Sequence, residues 1–520
     1  MQPETVTPTA DVLTRPATAG ERQLDAVTSS DVRKYTVQGA LASSVTQMVT
    51  FALRLVSMMV LARLVLKEDF GLVNMVTPFT GFLSLFRDGG LSMATVQQKS
   101  ITRAQASTMF WINLAFGVSL WILTALSAPF LATFYKEPKL FWVTVALGTS
   151  FVFNGVSTQH RAMISRKMQI TALSVIDIVS LVSSIAVAIV LAAKSFGYAS
   201  LVAMTTTQAA VGAAGVWIWA RWIPGRPARS SGVWSMLSYG GAITLNNVVV
   251  YLAYNADKVL LGRFFGAEQL GIYGRAYQLI NIPSDNLSQA MGSVAFPALS
   301  RVQEDAERLK RYFLGGYRLL LSLAIPLTAA CALFADDMIR VFLGPGWQDA
   351  AAVFRLLAPT VLALALMNPF GWLILANGRA ARNLAIALMI APVVFLGYLA
   401  GLKAGPQGVA LGYSLAMTVL IIPVLIWSMR DTAITAWDIV KVLSPLAGAT
   451  ALGAASTFLV HGWVLNISMP FVRLVAECAI FFGVYAAALL FLLGQWPVYS
   501  QVLHDSGLWR RAPRSVVKTA

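Results

Sequence analysis

The chain has 520 residues, of which 57% are hydrophobic and 12% are charged, and its mean hydropathy is +0.68. Soluble globular domains carry roughly a quarter charged residues, so this composition excludes the soluble class and predicts an integral membrane protein. The net charge of +16 does not indicate nucleic-acid binding, because the basic residues are scattered among short connections and form no single basic face.

Apolar segments long enough to cross a bilayer as helices recur from position 39 to position 493. They predict an all-α integral membrane protein with about fourteen transmembrane helices. The connections between the segments are short, which leaves no room for a folded domain outside the membrane. The predicted spans are 39–66, 70–97, 107–134, 139–160, 169–193, 197–222, 237–262, 269–299, 313–334, 347–375, 382–403, 406–429, 440–463 and 472–493.

The longest connection, 223–236, is rich in Pro, Gly, Ser and Arg and therefore indicates a flexible cytoplasmic linker. We predict an N-terminal lobe of six spans at 39–222 and a second lobe of six spans at 237–429. Lys and Arg concentrate in alternate connections, which favours an even number of spans with both termini in the cytoplasm. The remaining segments are a disordered tail, the last two spans and a basic tail, at 1–38, 430–495 and 496–520.

A short internal repeat supports the division into two lobes. Without a gap, Leu61, Arg63, Glu68 and Gly71 recur 200 positions later as Leu261, Arg263, Glu268 and Gly271. An even number of spans separates the copies, so both cross the membrane in the same direction. We therefore expect two pseudo-symmetric six-helix lobes plus two C-terminal helices, with a pseudo-twofold axis along the membrane normal.

Polar residues recur at helical spacing in spans one, two, seven and eight, which places them on one face of each helix. Charged residues at such depth usually face water, a partner charge or a substrate, because an isolated charge in a bilayer is costly. Cations outnumber acids among them, which favours an anionic substrate such as a phosphate. The candidates for a translocation cavity are Arg54, Arg87, Asp88, Asp257, Lys258, Arg275, Asp285 and, in span ten, Arg355.

Other interpretations of these residues stay open. The hydroxyl and amide groups of the stripes are also consistent with hydrogen bonds between neighbouring helices. Asp257 and Lys258 are consistent with a local pair, and Arg355 with snorkelling toward the end of its helix.

Signals of enzymatic chemistry are poor, and we predict that the chain is not an enzyme. It contains no Gly-Lys dipeptide, which excludes a Walker A phosphate loop. Its histidines have no metal-ligand spacing, so we predict no metal and no cofactor, and we expect His160 at the interface or in solvent. Asp336 and Asp337 are expected in a solvated connection. Coupling of transport to a proton or sodium gradient is left open.

Four segments resemble the polysaccharide transporter family of Wzx-type flippases. Segments 63–73 (RLVLKEDFGLV) and 86–91 (FRDGGL) carry the likeness in the first two spans. Segments 255–266 (NADKVLLGRFFG) and 270–273 (LGIY) carry it in spans seven and eight. The sequence is similar to the branch associated with exopolysaccharide and lipopolysaccharide export.

The resemblance implies a two-lobed fold of the multidrug/oligosaccharidyl-lipid/polysaccharide exporter superfamily that alternates between inward-open and outward-open states. It implies an undecaprenyl-diphosphate-linked oligosaccharide as the substrate, flipped across the bacterial inner membrane. Membrane lipids and a polysaccharide polymerase or export machinery are the implied partners. Its cavity-lining charges map onto Arg54, Arg87, Asp88, Asp257, Lys258 and Arg275.

Two other functions are weighed against this one. A drug or cation antiporter of the same superfamily is expected to depend on buried acids without an excess of cations. A membrane glycosyltransferase or polymerase is expected to carry a large outer loop with catalytic residues, and the predicted connections are too short for one.

Overall fold

A computed structural model describes residues 29–86, 102–227, 241–464, 466–497 and 499–500. Within these ranges the regular structure is helical, with no strand. The α-helices are α1 Ser29–Leu64, α2 Lys67–Ser84, α3 Arg103–Tyr135, α4 Leu140–Arg166, α5 Ile170–Ala193, α6 Tyr198–Ala220, α7 Gly241–Arg301, α8 Ala306–Leu333, α9 Ala335–Phe342, α10 Asp349–Ala376, α11 Ala380–Gly401, α12 Gly405–Met429, α13 Ala436–Val464 and α14 Pro470–Ala487.

In the described part of the chain, ten segments are long and apolar enough to cross a membrane. One of them, Ala380–Met429, contains both α11 and α12. Every span predicted from the sequence overlaps a described helix, and α7 overlaps two of them. The predicted all-α, multi-pass membrane fold is confirmed.

The first helix begins at Ser29, earlier than the predicted span, so residues 29–38 are helical and not part of a disordered tail. These ten residues contain no Pro or Gly, which leaves nothing to stop the helix before its apolar part. Outside the described residues lie 1–28, 87–101, 228–240 and 501–520, which include most of the predicted linker and the basic tail.

The chain folds into two compact units. The first consists of Met1–Ser57, Phe79–Thr133 and Glu137–Leu245. The second consists of Met58–Pro78, Phe134–Lys136 and Asn246–Ala520. Residues 58–78 thus pack with the second unit, although they precede the predicted linker. The lobe boundaries inferred from the sequence stay a prediction.

In the first unit, α4 and α5 both pack against α6. His160 of α4 is fully buried, so the expectation of an interfacial or solvated histidine is wrong. Its ring stacks on Trp217 with 4.4 Å between centroids, and its Nε2 atom hydrogen-bonds the Trp222 carbonyl oxygen at 3.1 Å. An aromatic neighbour and a backbone acceptor thus replace the water that a sequence-based expectation assumes.

In the second unit, α10 and α11 pack against α12, while α8 packs against α10 and α13. Asp336 is exposed, but Asp337 is buried, which corrects the expectation that both are solvated. Arg473, near the start of α14, donates from Nε to Asp337 Oδ2 at 2.7 Å and forms a second bond to Oδ1. The carboxylate is buried because this bidentate partner neutralises it. This ion pair connects α14 to α9.

Helix α7 is interrupted at Gly266, where φ is 79° and ψ is −176°. Glycine tolerates this backbone conformation without steric cost. The break separates a first arm, 241–265, from a second arm, 267–301, and these arms correspond to predicted spans seven and eight. Residues 58–78 join the second unit because α2 lies directly against the second arm. At the point of contact are Gly71 and Gly271, the glycines of the internal repeat.

Candidate functional site

Five tyrosines of the second unit surround a buried acid and a lysine. Tyr273 and Tyr277 stack with 5.9 Å between ring centroids. Tyr413 of α12 lies 5.4 Å from Tyr398 of α11, 6.4 Å from Tyr254 and 6.5 Å from Tyr277. We call these five residues the tyrosine cluster. It brings together both arms of α7 with α11 and α12.

Asp257, on the first arm of α7, has a carboxylate that is 0% exposed. Its Oδ2 atom accepts a hydrogen bond from the Tyr273 hydroxyl at 2.7 Å, and its Oδ1 atom accepts one from the Lys258 backbone N–H at 2.7 Å. Among the described residues no lysine or arginine side-chain nitrogen pairs directly with it. Burial of a carboxylate without a bonded cation is costly, so this group is suited to take up a proton or a small cation.

The ammonium group of Lys258 is bonded to an amide and lies over an aromatic ring, with no direct ion pair to the adjacent carboxylate among the described residues. Its Nζ atom donates to Asn255 Oδ1 at 2.8 Å and lies 5.2 Å from the centroid of the Tyr277 ring. An aromatic face and an amide oxygen stabilise the cation without neutralising it. Contacts of this kind are compatible with the binding of an anion by Lys258.

Arg275 lies on the second arm between Tyr273 and Tyr277 but faces another direction, because two residues along an α-helix correspond to about 200° of rotation. Its guanidinium carbon is 3.9 Å from the centroid of the Phe70 ring on α2. Within the described residues, its Nε atom has no hydrogen-bond partner. The stacked face leaves the N–H edge of the guanidinium available for an anion.

The other candidates are placed elsewhere. Arg54 is exposed on α1 in the first unit, and Asp285 is exposed on the second arm of α7. Arg355 is exposed on α10 and pairs with Asp336 at 2.5 Å, so it joins α10 to α9. Arg87 and Asp88 lie outside the described residues. The structure thus places Asp257 and Lys258 together in the tyrosine cluster. Arg275 lies next to this site along α7 but on the opposite face of the helix. The roles of all eight residues in transport stay predictions.

Four members of the tyrosine cluster were not predicted from the sequence, namely Tyr273, Tyr277, Tyr398 and Tyr413. Tyr273 and Tyr277 are four residues apart and so share a helix face, but the predicted stripe of span eight followed Arg275 instead. Tyr398 and Tyr413 lie within apolar spans, away from the segment ends where tyrosines usually form an interfacial belt. The position of a tyrosine in the middle of an apolar span is the sequence signal that could have indicated the cluster.

No group of three or more His, Cys, Asp or Glu side chains in the described ranges is arranged to hold a metal ion. The candidate site offers a carboxylate, an ammonium, a guanidinium and several phenols. These groups can bind an anion and exchange a proton or a monovalent cation.

Comparisons with known proteins identify the family. Residues 60–352 match a family described as polysaccharide biosynthesis protein. The chain is 28% identical over 354 residues to the teichuronic acid biosynthesis protein TuaB of Bacillus subtilis (strain 168), covering 67% of this chain and 73% of that protein. It is 25% identical over 428 residues to the lipopolysaccharide biosynthesis protein WzxC of Escherichia coli (strain K12), covering 78% and 85%.

Among solved structures, the lipid II flippase MurJ in an inward closed conformation has a similar fold. The TM-score is 0.68 at 14% identity, covering 90% of this chain and 99% of that one. This likeness shows the fold, and the match over residues 60–352 shows the family. The predicted resemblance to polysaccharide transporters is confirmed, and the chain belongs to the polysaccharide biosynthesis protein family.

Proposed function

We propose that this protein is a flippase that moves undecaprenyl-diphosphate-linked oligosaccharide repeat units across the bacterial inner membrane. The observation that carries the proposal is the family match over residues 60–352 in a chain that shares the fold of a lipid II flippase. The relatives named above act in teichuronic acid and lipopolysaccharide biosynthesis. The repeat units that it moves are precursors of exopolysaccharide or lipopolysaccharide.

Two cations of the candidate site suit the diphosphate of such a substrate. Arg275 offers a planar set of donors and stacks on Phe70, and Lys258 is held by an amide and a ring. Neither cation pairs with a carboxylate among the described residues, so neither must release a partner before it meets a phosphate. The lipid tail remains in the bilayer while Lys258 and Arg275 hold the diphosphate. Arg54, on α1 of the first unit, is a separate candidate from the sequence, and its role in transport is tested below.

The protein acts by alternating access and makes or breaks no covalent bond. Both termini lie in the cytoplasm, because this orientation leaves most Lys and Arg of the connections on the inner side. Besides the substrate and membrane lipids, the partners are the polymerase and export machinery that receive the flipped repeat unit.

Coupling to an ion gradient takes place at Asp257. A fully buried carboxylate without a bonded cation changes its interactions strongly when it takes up a proton or a sodium ion. A transmembrane potential supplies about 2.3 kcal/mol per charge per 100 mV, which is enough to drive one such step. Transport into vesicles under an imposed proton gradient, compared with an imposed sodium gradient, identifies the ion. Transport that responds to neither gradient contradicts the coupling.

A deletion strain tests the proposed function. We expect lipid-linked glycan to accumulate on the cytoplasmic leaflet and surface polymer to disappear, both of which the wild-type gene restores. Arg54→Ala should fail to restore export at normal protein abundance. The matched control is Arg340→Ala, since Arg340 is another exposed arginine, on α9. Unchanged glycan distribution in the deletion strain contradicts the proposal, and the loss of drug efflux in its place supports the antiporter alternative.

A further inference from the structure

The two copies of the internal repeat touch each other at a crossing of α2 with the second arm of α7. A Cβ atom added at Gly71 would overlap the carbonyl oxygen of Ala267, and one added at Gly271 would overlap the carbonyl oxygen of Lys67. The backbones meet at both places with no side chain between them. We call residues 67–74 and 267–274 the glycine crossing.

The contacts of the glycine crossing are reciprocal. Position 71 meets position 267, and position 271 meets position 67, which are the same two contacts exchanged by the 200-residue offset. Farther along, Asn74 lies against Gly274, its own equivalent. Such a pattern requires two helices that run in the same direction and are related by a twofold axis between them. The two copies therefore meet at the same depth in the membrane.

The glycine crossing lies at one end of these helices, beside the α1–α2 connection and Gly266. The distribution of Lys and Arg predicts that this end faces away from the cytoplasm. Three polar contacts surround it on the same side. Trp347 Nε1 donates to the Ala62 carbonyl oxygen at 2.8 Å, Arg63 Nη2 donates to the Val341 carbonyl oxygen at 2.8 Å, and Lys67 pairs with Asp349 at 2.9 Å.

We propose that the glycine crossing is the outer gate of the transporter, closed in this structure, and that α2 must separate from the second arm of α7 for substrate to leave on the outer side. This inference rests on the proposed flippase function. Alternating access requires a seal at each membrane face that breaks in turn. A contact made by two smooth backbones is suited to this, because no interlocked side chain must change rotamer when it opens.

Opening the gate also changes the candidate site. Phe70 precedes Gly71, and Arg275 follows Gly274, so the stack of the guanidinium on the ring spans the glycine crossing. When α2 moves away, Arg275 loses this support. The cation that holds the diphosphate and the seal on the outer side thus change in the same movement.

A disulfide across the crossing tests the gate. The Cγ atom of Asn74, whose place a cysteine sulfur would take, lies 3.1 Å from the Cβ position of residue 274. This separation suits a disulfide, because an S–S bond of about 2.05 Å places the sulfur of one cysteine about 3 Å from the Cβ atom of the other. We therefore combine Asn74→Cys with Gly274→Cys. The background is Cys331→Ala with Cys478→Ala, which removes the other two thiols of the chain.

Translocation of lipid-linked oligosaccharide, extracted from the membranes of the host strain, is measured in reconstituted vesicles. We expect oxidation to cross-link the pair and to stop translocation, and dithiothreitol to restore it to the level of the cysteine-free protein. Each single-cysteine variant should remain active under both conditions. Full translocation by the cross-linked protein overturns the proposal, and so does a failure of the two thiols to cross-link in vesicles.

A second pair keeps the test decisive if the first variant does not fold. Lys67→Cys with Asp349→Cys, joined by a short bifunctional maleimide, should also stop translocation. The matched control is Arg161→Cys with Asp177→Cys, which replaces another interhelical ion pair, 2.6 Å long between α4 and α5 of the first unit, and which should leave translocation intact when joined by the same maleimide. If the reduced variants and the cysteine-free protein move no oligosaccharide, the proposed function fails. If they do and the cross-linked forms do as well, only the gate fails.

Discussion

The two copies of the internal repeat share a helix crossing but differ in the side chains that the crossing carries. Gly71 and Gly271 make the same close contact from opposite sides. Even identical residues are used differently, since Arg63 donates to the Val341 carbonyl oxygen whereas Arg263 lies 5.7 Å from the ring centroid of Phe134. The backbone frame is therefore symmetric, and the chemistry on it is not.

At two equivalent positions, only the second copy carries a charged residue, and that residue is partly buried. Met58 and Met75 are buried apolar residues of the first copy, and their equivalents in the second copy are Lys258 and Arg275. Methionine is thus compatible with these positions of the frame, so the cations are not required by the packing. We therefore expect these two cations of the second copy to serve substrate binding, and the following changes test that expectation.

The largest effect is expected from Asp257→Asn. The amide oxygen can still accept the hydrogen bond of Tyr273, so the fold should be retained, but the side chain can no longer ionise. We expect translocation to fall by about 100-fold, which corresponds to about 2.7 kcal/mol. Translocation in vesicles measures this, with protein abundance and thermal stability as controls. A variant that retains wild-type translocation removes Asp257 from the coupling role.

Alanine at either repeat glycine should destabilise the protein to a similar extent. The added Cβ atom meets a backbone carbonyl that cannot move aside, and overpacking of this kind costs about 1–3 kcal/mol. Gly315→Ala is the control, because nothing lies within 4 Å of its Cβ position and helix propensity alone predicts a gain of up to about 1 kcal/mol. Thermal unfolding in detergent compares Gly71→Ala, Gly271→Ala and Gly315→Ala. A large effect at only one repeat glycine would mean that the frame is not symmetric.

The fold and part of the candidate site could be predicted from the sequence, each for a different physical reason. Hydropathy predicted each span because a bilayer requires about 20 apolar residues whatever the partners of the helix. The pair Asp257 and Lys258 was found because charges are conspicuous in such spans. The tyrosine cluster was not, since its members come from both arms of α7 and from α11 and α12, and only tertiary packing brings them together.

The internal repeat shows the same limit. The four identities predicted two related helix pairs, but not that Gly71 would lie against position 267. The burial of His160 and Asp337 was not predicted because their hydrogen-bond partners, the Trp222 carbonyl and Arg473, are distant in the sequence. A single sequence gives the burial of a segment more readily than the partner of a polar atom.

Arg275→Met gives the second copy the residue that the first copy has at the equivalent position. It tests whether Arg275 is needed for translocation but not for folding. We expect normal abundance and a translocation rate lower by about tenfold, or about 1.4 kcal/mol, since a cation for the diphosphate is lost. Arg275→Lys should recover part of the rate, because lysine keeps the charge but not the planar donors. Equal rates for the wild type and Arg275→Met would show that the diphosphate is held elsewhere.

The smallest effect is expected at Lys67, whose equivalent in the second copy is Ala267. Its ammonium pairs with Asp349 at 2.9 Å, with side-chain exposures of 21% and 69%, so solvent screens the attraction. A double-mutant cycle with Lys67→Ala and Asp349→Ala should give a coupling of about 0.2–1 kcal/mol that decreases as salt is added. Because so weak a pair cannot hold the glycine crossing closed, Lys67→Ala should leave translocation nearly unchanged. A large loss of translocation would instead show that this ion pair, present in one copy only, controls the gate.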